Sequence, residues 1–154
     1  MTRTLLVVVL ALVACGAGNV QPRVSKTAAV RSYIHAVMTD DASTVLRMNT
    51  PGSRAFALSA ARDDRHDLGN EYRIVWMRDQ GDWVTAMVRG VRRLTTNAPN
   101  GLLTVVRWRF LLVPSEASWQ VSEEQWLLVG SCFLFPRGVK PPRGSLPCPS
   151  VPKR

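Results

Sequence analysis

Leu102-Leu-Thr-Val-Val-Arg-Trp-Arg-Phe-Leu-Leu-Val113 sorts its side chains into two rows. Leu102, Thr104, Val106, Trp108, Phe110 and Leu112 fall in one row, and Leu103, Val105, Arg107, Arg109 and Leu111 in the other. A period of two is the mark of an extended chain, whose successive side chains leave on opposite sides. The neighbouring segments carry the same mark. Tyr72, Ile74 and Trp76 alternate with Arg73, Val75 and Met77; Val84, Ala86 and Val88 share one face of a strand over 83–93; a last strand is expected over 119–134. Turn-forming stretches at 79–82, 97–101 and 114–118 separate them, so four strands follow one another as antiparallel hairpins.

Ahead of Gly69 the period changes. Val30, Tyr33, Ile34, Val37 and Met38 recur at three- and four-residue spacing, which predicts a helix over 27–39. Asp40 or Asp41 is an N-cap for a short second helix over 42–48, and Asn49-Thr-Pro-Gly52 breaks it. A third helix is expected over 54–68, carrying Phe56 and Leu58 and closing at Gly69. Helices first and hairpins after give an α+β fold, with N-terminal helices packed on one face of a curved antiparallel sheet of about four strands.

Residues 1–14 read as an export signal. Arg3 supplies the basic start, Leu5 to Val13 the apolar stretch, and Leu12-Val13-Ala14-Cys15 the lipobox that directs acylation of Cys15. Nine apolar residues are far short of the roughly 20 that a spanning helix needs. The expected organisation is therefore a lipoprotein signal over 1–14, a tether over 15–26, one domain over 27–135 and a basic Pro-rich tail over 136–154. The expected address is the extracytoplasmic face of the cell membrane, with the chain held there by lipid on Cys15.

The formal net charge of +9 shrinks once it is apportioned. From Cys15 to Pro136 there are 14 basic and 11 acidic residues, while Arg137, Lys140, Arg143, Lys153 and Arg154 stand in a tail without acids. That distribution argues against a nucleic-acid partner, which calls for basic residues concentrated on a face of the folded domain. A basic tail on a lipid-anchored protein is instead drawn to anionic headgroups. Of three cysteines, Cys15 goes to lipid, which leaves Cys132 and Cys148 either as a disulfide or with Cys132 as a buried thiol. No Cys/His spacing indicates a metal, and nothing indicates a cofactor.

The stretch Val30-Arg-Ser-Tyr-Ile-His-Ala-Val-Met-Thr-Asp-Asp-Ala-Ser-Thr-Val-Leu-Arg-Met48, with the later pair Trp108-Arg-Phe110 and Trp119-Gln-Val121, resembles the NTF2-like, cystatin-like superfamily over 27–135. The resemblance implies a cone whose mouth admits an apolar ligand, used in some members for isomerase, dehydratase or cyclase chemistry. Tyr33 matches the position of an oxyanion-donating Tyr in the ketosteroid isomerases of that superfamily. Their general-base Asp has no counterpart here, and only His35, Asp40 and Asp41 lie near Tyr33 in sequence. Lipoproteins and membrane-anchored accessory proteins of transport and secretion systems share that fold.

Arginine forms the remaining constellation: Arg89, Arg92 and Arg93 at the end of one strand, with Arg107 and Arg109 on the next, opposite the Trp108 face. It is read either as a solvated face, compensated in part by Glu123 and Glu124, or as a docking site for an acidic partner or a phosphate headgroup. Two functions are carried forward. The first is an anchored binding or assembly module for an apolar ligand or protein partner, with Tyr33, Trp108, Arg89, Arg93, Arg107 and Arg109 as candidate pocket or docking residues. The alternative is an isomerase- or cyclase-type enzyme, which would need a polar dyad inside the fold.

Overall fold

The computed structural model describes residues 24–148, apart from Asn97 and Ala117. The export signal, Cys15 and most of the tether lie outside the described residues. Three helices precede four strands: α1 (Lys26–Thr39), α2 (Ala42–Met48), α3 (Arg54–Leu68), β1 (Glu71–Gln80), β2 (Trp83–Arg93), β3 (Gly101–Ser115) and β4 (Ser118–Leu134). The strands pair antiparallel in the order β1-β2-β3-β4, an open sheet with the helices on one side. This is the α+β architecture that the two periodicities predict.

Local chemistry accounts for the boundaries. Ser25 Oγ accepts from the Ala28 N–H at 3.2 Å and starts α1. Asp40, at φ 62°, ends it, and the Asp41 carboxylate accepts from the Thr44 N–H at 3.1 Å to start α2. Gly69 closes α3 at φ 79°, its N–H bonded to the Arg65 carbonyl at 2.8 Å. There a β-carbon would meet the Arg92 backbone at 2.5 Å, so Gly69 is required by space as well as by angle.

The core lies between the helices and the inward rows of β2 and β3. Val30, Tyr33, Ile34 and Val37 of α1 pack on Val84, Ala86, Val88, Val106, Trp108, Phe110 and Leu112. Tyr33 meets Phe110 edge-on with centroids 5.7 Å apart, and Trp108 lies 5.1 Å from Phe110. Helix α3 packs through small residues. Its buried residues are Ala57, Ala61 and Leu68, whereas Phe56 is 75% and Leu58 38% exposed. Two alanines let α3 approach the sheet more closely than a Phe would.

Three bulges reset which residues face the helices. In β1 the register shifts between Ile74 and Trp76, so Val75 is extra; Tyr72 and Ile74 point inward, but so does Met77, and Trp76 and Arg78 turn outward. The simple alternation had put Trp76 with Tyr72. In β4 the shifts fall at Ser122 and Val129. Between them Glu124, Trp126 and Leu128 lie opposite the inward Phe110, Trp108 and Val106, and Glu123, Gln125 and Leu127 lie outward.

Cys132 and Cys148 are joined by a disulfide, which decides the choice that the sequence left open. The returning tail is also held by backbone bonds from Phe133 N to Leu146 O at 2.8 Å and from Cys148 N to Phe133 O at 2.9 Å. Reduction should therefore loosen 136–148 locally: cleavage by trypsin at Arg137 and Arg143 should quicken roughly tenfold while the sheet's thermal transition keeps its shape. Loss of the cooperative transition on reduction would show instead that the whole fold depends on the bond.

Candidate functional site

The helices cover only one face of the sheet, and the outer face carries the arginines. Outward rows run across the strands as Arg78, Thr85, Arg109, Gln125 and as Trp76, Met87, Arg107, Leu127. Trp76, Arg78, Gln80, Thr85, Arg107 and Arg109 together line a depression of about 420 Å³. Two of its guanidinium groups are held over indole rings: Arg78 lies 5.2 Å from the Trp76 centroid and Arg109 4.6 Å from that of Trp83. Stacking restricts the long side chains without consuming their N–H donors. Arg109 spends one donor on Gln125 Oε1 at 3.1 Å, and Gln125 donates to Glu123 at 2.9 Å.

Among the described residues, none of Arg78, Arg107 and Arg109 pairs with a carboxylate. The compensation expected from Glu123 and Glu124 is halved by the Ser122 bulge: Glu123 reaches Arg109 through Gln125, and Glu124 faces the other way. Arg89 is exposed one row further along, directly opposite Arg73. Arg93 stands at the far end of the strand and is committed to Glu71, at 2.9 Å. The structure thus brings Arg107 and Arg109 together, leaves Arg89 adjacent and takes Arg93 out of the group. It adds Arg78 and Trp76, which strict alternation cannot find because the bulge at Val75 turns them outward.

The inner face holds a different constellation. Tyr33 and Trp108 are fully buried. The Tyr33 hydroxyl accepts from Asn49 Nδ2 at 3.2 Å, and Asn49, itself buried, also donates to the Val45 carbonyl at 2.8 Å. Beside them lies Glu124, at the edge of a 400 Å³ cleft whose wall includes Phe56 and Ala57. Glu124 Oε2 and the indole nitrogens of Trp108 and Trp126 are buried without closing a hydrogen bond. Burial raises the Glu124 carboxyl above its ordinary value. Asp64 on α3 is pushed up to about 8, first by burial and then by the charges of Glu124, Asp67 and Asp63. Burial, followed by the Glu124 charge, raises the Tyr33 hydroxyl too.

The polar residues nearest Tyr33 in sequence have other tasks. Asp41 is held at about 2 by the Thr44 hydroxyl, the Thr44 N–H and the Ser43 hydroxyl, as befits a helix cap. Asp40 pairs with Arg65 at 2.9 Å. His35 Nδ1 meets the Tyr72 hydroxyl at 2.8 Å on the helix's exposed side. No group of three metal-binding side chains occurs among the described residues, and no described helix is long and apolar enough to cross a membrane.

No protein-family model and no curated protein matches the chain. One similar solved structure is the solution structure of a SEC-C motif containing protein from Rhodopseudomonas palustris, 19% identical, covering 68% of this chain and 80% of that one, with a TM-score of 0.47. A likeness so slight transfers no function. The expected place in the NTF2-like superfamily is corrected: no family model matches the chain. An apolar helix with a Tyr and an aromatic hairpin are what an α+β core of this kind needs for packing, so they do not single out a superfamily.

Proposed function

We propose that the protein is a lipid-anchored, extracytoplasmic docking module that binds an anionic group on the outer face of its sheet. The observation that carries this reading is the depression ringed by Arg78, Arg107 and Arg109, none paired with a carboxylate among the described residues, with the guanidinium groups of Arg78 and Arg109 positioned by Trp76 and Trp83. Guanidinium forks suit oxyanions, and a pre-positioned fork gives up little freedom when it binds. The anchor is assigned from Leu12-Val13-Ala14-Cys15.

The test uses the acylated full chain in detergent, its N-terminal Cys15 lipid verified by intact mass. Binding to phosphocellulose at moderate salt should fall at least roughly tenfold in the Arg78→Glu, Arg107→Glu double variant, while stability changes by less than about 1 kcal/mol. Arg137→Glu with Arg143→Glu removes equal charge from the tail and should bind nearly as well as the parent. Equal losses in the two variants would reduce the face to bulk charge and reject the docking site; an unacylated Cys15 would reject the anchor.

A second reading, proton-transfer catalysis of the isomerase type, is favoured by the inward pair of Asp64 and Glu124 beside Tyr33. Such chemistry needs an acid and a base facing one cleft. Glu124→Gln should then abolish turnover of an enolisable ketone while leaving phosphocellulose binding intact; a parent protein without turnover rejects this reading.

A further inference from the structure

The tether and the arginine depression lie at the same end of the sheet. The chain enters the described residues at Val24, whose carbonyl accepts from Trp119 Nε1 at 2.8 Å, and Lys26 reaches both the Trp119 ring and the carbonyl of Gly81 in the β1–β2 turn. Arg78 is three residues from Gly81, or about 10 Å along the strand. The disulfide-bonded tail lies at the other end, where Gly101 pairs with Leu134 and Phe133 bridges Pro147. Between the row of Gln80 and Trp83 and the row of Arg93 and Gly101, β2 advances ten residues, or about 33 Å. From Cys15 to Val24 the chain has nine peptide links, enough to span at most about 30 Å. A lipid on Cys15 therefore keeps the depression within reach of the membrane surface and leaves Arg137, Lys140 and Arg143 at the distant end.

Resting on the docking reading above, we infer that the occupant of the depression is the phosphate of anionic phospholipid headgroups in the membrane that anchors the chain, so that the outer sheet face lies against that surface. Charge complementarity agrees: Arg73, Arg78, Arg89, Arg107 and Arg109 all point outward, and Glu71, one of the outward acids, is bound to Arg93. Composition agrees as well. Trp76 and Trp83 lie half-buried beneath the guanidinium groups, and indoles settle at the headgroup level, where one edge is wet and the other apolar. The acyl chain supplies proximity and the arginines supply orientation.

The experiment places the acylated full chain, carrying Gln80→Cys, in vesicles. With Cys15 lipidated and Cys132 bonded to Cys148, that thiol is free for a spin label at the rim of the depression. Collisions of the label with a water-soluble nickel chelate should be roughly threefold rarer in phosphatidylglycerol vesicles than in phosphatidylcholine vesicles. High salt should erase the difference, and so should Arg78→Glu with Arg107→Glu. Equal collision rates in both vesicles would overturn the inference. The same labelled protein is then offered phosphocellulose: retained binding that depends on Arg78 and Arg107 leaves the docking reading in place with a different occupant, such as an acidic protein segment, and no binding removes both.

Discussion

Replacing Gly90 with Ala should cost about 3 kcal/mol or more and lower the thermal midpoint by roughly 10 °C. Gly90 lies in β2 under the last turn of α3. A β-carbon there would sit 2.1 Å from the Leu68 carbonyl oxygen and 2.7 Å from its carbon. Both are backbone atoms, so no rotamer change can relieve the overlap. Either α3 lifts off the sheet at its C-terminus, or β2 bends away. Each movement separates Leu68, which is fully buried, from the core. Gly130 in β4 is the control, since a β-carbon there meets nothing within 4 Å. Gly130→Ala should be neutral within about 0.5 kcal/mol. Equal midpoints for the two variants would show that the helix-to-sheet spacing is softer than the close approach implies.

The buried carboxyl pair should make stability fall as pH rises from about 4 to about 8. Asp64, raised to about 8 in the folded protein, ordinarily titrates near 3.8. Between those values the folded state holds a proton that the unfolded state has released. Stability is therefore full below the unfolded value and is lost as pH climbs toward the folded one. Glu124 adds to the same trend, since its carboxyl is raised for the same first cause, burial. Asp41 contributes in the opposite sense, but its window lies below about pH 4, where its depressed value lets it protonate. Asp64→Asn should flatten the slope and stabilise the protein by about 2 kcal/mol at pH 8, a discounted figure because Asp64 keeps some contact with water. Urea unfolding at pH 5 and pH 8 gives the answer, and a slope unchanged by Asp64→Asn would remove the pair from the account.

Period and capping were enough to read the architecture. Asp41, Gly69 and the turn at 79–82 set the boundaries through short-range chemistry, and all seven elements begin and end within a few residues of where that chemistry places them. What could not be read was sidedness beyond a bulge. An extra residue such as Val75 or Ser122 leaves no mark in composition, because a bulge is fixed by pairing with the neighbouring strand and by what the far face must bury. Arg78 and Trp76 were thus missed as companions of Arg107 and Arg109, and Glu124 was placed among the arginines although it points toward Tyr33. The packing face of α3 was not legible either: its two large apolar residues, Phe56 and Leu58, stay exposed, and the gap to the sheet is filled by Ala57 and Ala61. For Cys132 and Cys148, parity offered a disulfide beside the alternative of a buried thiol, and only the geometry that brings them together decides between the two.

Ser122 and Val129 act on β4 as a phase slip and its repair. The first shifts the strand by half a period and the second shifts it back, so only the six residues from Glu123 to Leu128 are read in the opposite sense from the rest of the strand. Were Ser122 paired in regular alternation after Val121 instead of bulging, Glu124 and Trp126 would face the outer surface and Glu123, Gln125 and Leu127 the interior, with no side chain chemically altered. The acidity of the interior and the net charge of the arginine face are therefore set together, by whether β4 leaves one residue unpaired at that position, and neither can be retuned there without the other.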